Sequence, residues 1–138
     1  MITRSVEETL AWAESLAQRL GPGDVVCLSG ELGAGKSVIA RGVGRGLGVT
    51  DEIVSPTFNY VLEYAGRVPF FHADLYRLQG IQDFVALGLE EYFERDGVFV
   101  IEWPERVADL LPDNCYRIHV DILPNMSERQ ILLTEPRR

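Results

Sequence analysis

A chain of 138 residues, 46% of them hydrophobic, is long enough to bury one core without disulfide or metal staples. Its formal net charge of -8, with the excess of acid after Thr50, repels phosphate backbones; direct nucleic-acid binding is disfavoured and a basic partner is favoured. No apolar run approaches the roughly 18 to 20 residues of a membrane span, and the start is an acidic amphipathic pattern rather than a signal peptide, so the expectation is a cytoplasmic protein with no membrane contact.

Ser5 and Glu8 make a capping box, and Val6, Leu10, Ala13, Leu16, Ala17 and Leu20 follow at helical spacing, which predicts a helix to about Leu20. "GPGD" stops it. The continuous apolar run "VVCLS" predicts a strand covered on both faces, and it passes through glycines into a second helix beginning near Lys36. Gly42, Gly44 and Gly46 in that helix each cost roughly 1 kcal/mol against alanine; they fit close packing against the sheet or another chain, and equally a merely weak helix. "VTDEIVSPTF" reads as a loop, because Pro56 holds Ser55 out of the helical region.

"NYVLEY" and "VPFFHAD" flank the turn "AGR" and predict an antiparallel hairpin. "IQDFVALGLEEYFERD" has short helical periodicity broken at Gly88, and "GVFVIEW" is a second buried-strand pattern ending in a carboxylate. "CYRIHVDIL" alternates apolar and polar residues, so one of its faces is wet, and "RQILLTE" pairs with it across "PNMSE". Cys27 and Cys115 fall inside apolar or alternating patterns without metal-ligand spacing, which reads as two reduced core thiols. The fold class is α/β: a single domain over residues 1–138 with a mixed, mostly parallel central sheet, flanking helices and antiparallel hairpin additions.

Gly30, Gly35, Lys36 and Ser37 satisfy G-x-x-x-x-G-K-[ST] between a strand and a helix. In that setting the backbone N–H groups of Gly30, Glu31, Leu32, Gly33, Ala34, Gly35, Lys36, Ser37 and Val38 form an anion-binding nest at a helix N-terminus. Lys36 is the only lysine in the chain, and it stands where the motif needs a cation for the β- and γ-phosphates. Ser37 is placed to hold Mg²⁺ through its hydroxyl.

A second metal-side group is needed, normally a carboxylate at the end of a neighbouring buried strand. "VFVIE" offers Glu102 and "FFHAD" offers Asp74. The residues alone leave the choice open, with Glu102 favoured because its strand is apolar on both faces. Thr57 in "SPTF" has a hydroxyl that switch-like loops bring to Mg²⁺ or the γ-phosphate. Lys36, Asp74, Glu102 and Thr57 are thus the candidate catalytic residues, and Ser37, Glu102 and Thr57 the candidate metal ligands. His72 is expected to hydrogen-bond near the phosphates. Tyr76 and Arg77 are candidates to contact nucleotide or close over it, and Trp103 reads as core.

The common guanine-reading Asn-Lys-x-Asp segment is excluded, since the only lysine already belongs to the phosphate motif. ATP is therefore the expected nucleotide, with Mg²⁺. A small-molecule kinase is the weaker reading, because the segment long enough for a lid is acidic and apolar.

"GELGAGKS", "VSPTFNYVLEY", "FFHADLYRL", "LGLEEYF" and "VFVIEWPERV" resemble, in order, the signature segments of the bacterial TsaE (YjeE) family, from about Ser5 to Leu111. The resemblance implies a slow ATPase that works with the TsaD and TsaB proteins in forming threonylcarbamoyladenosine at position 37 of tRNA. In that family transfer chemistry belongs to TsaD, so tRNA is met only through the complex. By position, Lys36 and Ser37 fall on the phosphate and magnesium residues, Glu102 on the magnesium-side acid, Thr57 and Asp74 on switch-like and second acidic positions, and Trp103 on a family tryptophan. Ser37 stands where many members have threonine, which keeps the hydroxyl. A nucleotide-gated binding module with incidental hydrolysis is the alternative, and the sequence leaves the oligomeric state open.

Overall fold

Seven strands form one sheet in the computed structural model, which describes residues 1–56 and 58–136. They are β1 (Ile2–Thr3), β2 (Val25–Gly30), β3 (Val61–Tyr64), β4 (Phe70–Asp74), β5 (Val98–Glu102), β6 (Tyr116–Ile122) and β7 (Arg129–Thr134). Their spatial order is β1-β7-β6-β2-β5-β4-β3. β6, β2, β5 and β4 run parallel, while β3 pairs antiparallel with β4 on one flank and, on the other, β7 pairs antiparallel with β6 and β1 antiparallel with β7. Both predicted hairpins form, and the two continuous apolar runs lie side by side at the centre, as strands buried on both faces must.

Helix α1 (Val6–Ala17) begins at Ser5, whose Oγ accepts the Glu8 N–H at 3.0 Å. The return arm of the capping box reaches one residue further back than the motif's usual target: Glu8 Oε1 accepts from Arg4 N–H at 3.0 Å. The regular helix ends at Ala17, earlier than the periodicity predicts. Arg19 and Leu20 N–H groups bond to the Leu16 and Ala17 carbonyls, one tighter turn that carries the apolar pattern on to buried Leu20.

Helix α2 (Lys36–Gly46) packs on α1 through its glycines. A Cβ on Gly42 would stand 2.5 Å from Ala13 Cβ, and one on Gly46 would stand 2.6 Å from Ala17 Cβ. Small residues four apart on both helices thus face each other and bring the backbones together. Gly44 faces the other way, toward Ile53 and Phe70. The glycine series is an internal contact.

The core has two parts, one on each sheet face. Ala13, Leu16, Ile39 and Val43 pack with Val26, Leu28, Val100 and Ile118 under α1 and α2. On the other face Cys27, Phe71, Phe99 and Ile101 meet Phe84, Leu89 and Val107 from α3 (Ile81–Ala86) and the two 3-10 segments Leu89–Glu94 and Pro104–Leu110. Gly88, at the predicted break, has φ 73° and separates α3 from the first of these segments. Among the described residues no helix is long and apolar enough to cross a membrane.

Candidate functional site

The carboxyl ends of β2, β4 and β5 converge beside the start of α2, the place where parallel sheets present ligand-binding loops. The loop from Gly30 into Lys36 carries positive φ at Gly30 (145°), Gly33 (83°) and Gly35 (111°). Gly30 also passes so close to β6 that a Cβ would meet the Val120 carbonyl oxygen at 2.5 Å.

Lys36 is buried, and its Nζ is turned back into its own loop, donating to the carbonyls of Gly30 and, at 3.0 Å, Glu31. The same ammonium lies 4.0 Å from the centroid of the Trp103 ring. Desolvation pushes its pKa below the ordinary lysine value, opposed by Glu102, Glu105 and Asp74.

Ser37 Oγ stands 3.4 Å and 3.5 Å from the two carboxylate oxygens of Glu102. Glu102 is only 2% exposed, and its Oε2 accepts from His72 Nε2 at 2.6 Å. The other ring nitrogen, Nδ1, is buried without a hydrogen-bond partner, so the imidazole proton belongs on Nε2, where a carboxylate receives it. A hydroxyl and a carboxylate that already converge, with no soft ligand beside them, are an oxygen donor set suited to Mg²⁺, water completing the shell. No group of three or more His, Cys, Asp or Glu able to hold a metal occurs among the described residues.

Asp74 and Glu102 are register partners on adjacent strands. Asp74 Oδ1 accepts the Tyr76 N–H at 3.0 Å. Burial raises its pKa, and the Glu102 charge adds to the rise, against the Tyr76 hydrogen bond, His72 and Lys36. Lys36, Ser37, Asp74 and Glu102 line one cavity of about 250 Å³, with Leu32, Tyr76 and Trp103 at its edge. A second hollow of about 210 Å³ adjoins it at Asp74 and Tyr76 and is bounded by Ser55, Pro56, Tyr60 and Arg77.

A third hollow of about 160 Å³ lies across the loop, between Gly33, Ala34, Gly35 and Val38 on one side and Ser5, Val6, Thr9, Ser127 and Arg129 on the other. Arg129 Nε donates to the Ala34 carbonyl at 2.9 Å and so ties β7 to the loop.

The family model described as "Threonylcarbamoyl adenosine biosynthesis protein TsaE" matches residues 3–131. The chain belongs to the TsaE family. A tRNA threonylcarbamoyladenosine biosynthesis protein TsaE from Treponema pallidum is 41% identical over 122 residues, covering 88% of this chain and 90% of that protein. Its Bacillus subtilis counterpart is 39% identical over 133 residues, covering 96% and 82%. The crystal structure of Bacillus subtilis YdiB superposes with a TM-score of 0.85 at 36% identity, covering 99% of this chain and 84% of that one.

Within this TsaE-family fold the structure brings together Lys36, Ser37, Asp74 and Glu102 with the loop residues Gly30 to Val38. Leu32 is 68% exposed at the loop tip, and Glu31 contributes its carbonyl to Lys36 and to the Ala34 N–H. Thr57 lies outside the described residues. Trp103, expected as core, is partly buried against the second core cluster and also touches the lysine. Sequence reasoning read Ser5 only as a helix cap and missed Thr9, Ser127 and Arg129, which carry no local motif; all four reach the loop because the β6–β7 hairpin and the start of α1 fold over it.

Proposed function

We propose that this chain binds Mg-ATP on the loop Gly30–Val38 and hydrolyses it slowly, in support of N6-threonylcarbamoyladenosine formation at position 37 of tRNA. The observation that carries this reading is the convergence of Lys36, Ser37 and Glu102 in one cleft at the mouth of a glycine loop. Lys36, now on the Gly30 and Glu31 carbonyls, would pair with the β- and γ-phosphates of a triphosphate held by the loop. Ser37 and Glu102 would hold Mg²⁺, which would supply neutralisation of charge developing on the phosphate oxygens. His72 fixes the Glu102 carboxylate in orientation through its Nε2–H. Asp74, its proton affinity raised by burial, would orient the attacking water. The hollow between Ser5 and Arg129 is the space for the nucleoside end of the ligand.

The partners are the TsaB and TsaD proteins, which hold the tRNA and perform the transfer, in the cytoplasm. Leu32 and Tyr76, which line the cleft, are exposed, and a docked partner would cover them. The net charge of -8 suits a basic complex. A second reading, a nucleotide-gated binding module with incidental hydrolysis, draws on the 3.4 Å approach of Ser55 Oγ to Ser37 Oγ, which already links the "SPTF" loop to the metal-side hydroxyl.

Calorimetric titration with Mg-ATP tests the binding. Saturable 1:1 binding is expected, lost in Lys36→Ala and made independent of Mg²⁺ in Glu102→Ala. Equal affinity in all three proteins would overturn the assignment of the site.

A further inference from the structure

Cys27 on β2 and Cys115, immediately ahead of β6, are both free and buried, and their Sγ atoms lie 4.0 Å apart. The register explains the approach. Val26 pairs with Tyr116 and Cys27 with Arg117, so Cys115 sits one step before the ladder, diagonal to Cys27 and in the same apolar cluster.

The two thiols are unlike. The two sulfurs share a contact in which either thiol can donate, and that contact together with burial drives the Cys27 pKa far up. The same contact lowers the Cys115 pKa to about 7, against burial, with Arg117 adding to the fall. One sulfur is thereby poised as a nucleophile and the other holds a proton. Cys115 follows exposed Asp113 and Asn114 in an irregular segment, so local opening there uncovers its sulfur while the sheet stays intact.

We propose that Cys27 and Cys115 form a reversible disulfide site, closed by exchange with a low-molecular-weight disulfide of the glutathione class. The Cys115 thiolate attacks one sulfur of the reagent, whose S–S bond breaks to release one small thiolate. Cys27, its proton passed to solvent, then attacks Cys115 Sγ and displaces the second small thiolate. The protein loses two electrons and two protons, and the reagent gains them as two thiols.

Closure shortens the sulfur separation to about 2.05 Å and draws β2 toward the start of β6. β2 runs from Cys27 through Leu28 and Ser29 into Gly30. The Leu28 carbonyl accepts the Trp103 N–H at 3.3 Å, and Ser29 Oγ meets His119 Nδ1 at 2.8 Å. The cross-link therefore acts at the root of the phosphate loop and weakens ATP binding, a consequence that rests on the function proposed above.

The test uses the full chain incubated with oxidised glutathione, mapped by non-reducing peptide mass spectrometry and titrated with Mg-ATP before oxidation, after it and after dithiothreitol. Expected are a linked Cys27–Cys115 peptide, a mass loss of two hydrogens, and a several-fold loss of affinity that dithiothreitol reverses. Cys27→Ser should trap glutathione on Cys115, and Cys115→Ser should stay unmodified; either variant alone suffices if the other misfolds. Two unmodified thiols in the folded wild-type protein, or a linked form with unchanged affinity, would overturn the proposal. Failure of the reduced protein to bind Mg-ATP would instead overturn the nucleotide reading, while the peptide map still decides the disulfide.

Discussion

The Lys36 ammonium rests 4.0 Å from the centre of the Trp103 indole, on a residue whose own backbone is left-handed at φ 60° and ψ 51°. A non-glycine residue in that region costs of order 1–3 kcal/mol and persists only where its surroundings hold it. Here the hold comes from the Trp103 N–H bond to Leu28, the Tyr76 ring 5.0 Å away, and the lysine itself. The Gly30 and Glu31 carbonyls hold the ammonium in the loop, against the cost of its desolvation.

On the proposed function, nucleotide would draw Lys36 off the indole, and Trp103 emission should report it. The chain has two tryptophans, the other being Trp12 on α1. Titration with Mg-ATP is expected to change the fluorescence of wild type and Trp12→Phe, and to leave Trp103→Phe and Lys36→Ala unchanged. A signal that survives in Trp103→Phe would show that the contact is not the one broken.

His72 is the partner that keeps Glu102 in place. Removing a hydrogen bond to a buried carboxylate costs roughly 1.5–3 kcal/mol, so His72→Leu is expected to lose about that much in urea unfolding and to weaken Mg²⁺-dependent ATP binding. Adding Glu102→Gln removes the unpaired charge and should recover part of the stability, though none of the binding. A strictly additive double variant would mean the two side chains do not interact.

Gly42 separates two opposing effects. Helix propensity alone makes Gly42→Ala stabilising by about 1 kcal/mol. The new Cβ would, however, stand 2.5 Å from Ala13 Cβ and 2.8 Å from the Leu10 carbonyl oxygen. Overpacking of that kind costs about 1–3 kcal/mol, so the variant should unfold at lower urea. A rise in midpoint would mean that α1 and α2 are not so closely packed.

Cys115 gives the pH prediction. Alkylation follows the thiolate, so its rate should climb as pH rises through about 7, below the ordinary thiol value of 9.0. In Cys27→Ala the contact between the two sulfurs is gone and the midpoint should move back up. An unchanged midpoint in that variant would assign the shift to something other than the thiol pair.

The central strands and the acid at the end of β5 were legible because a strand buried on both faces must be apolar throughout, which singles out "VVCLS" and "VFVIE" as neighbours. Glu102 then follows as the carboxylate beside Ser37. His72 gave no such signal: its position on β4 says which face it shares with Asp74, but its bond to Glu102 depends on the parallel pairing of β4 with β5. Arg129 was invisible for the same reason, since a residue 95 positions from Ala34 meets it only through the β6–β7 hairpin. The glycines of α2 fitted a loose helix and a close contact equally until α1 was seen against them.

The most direct test of the account is phosphate release from Mg-ATP by this protein alone and with the TsaB and TsaD proteins of the same cell, with Lys36→Ala as control. The account predicts slow release alone, stimulation by the partners, and loss of both in the variant. Stimulated release that persists in Lys36→Ala, or demonstrated ATP binding with no change in release on adding the partners, would contradict it.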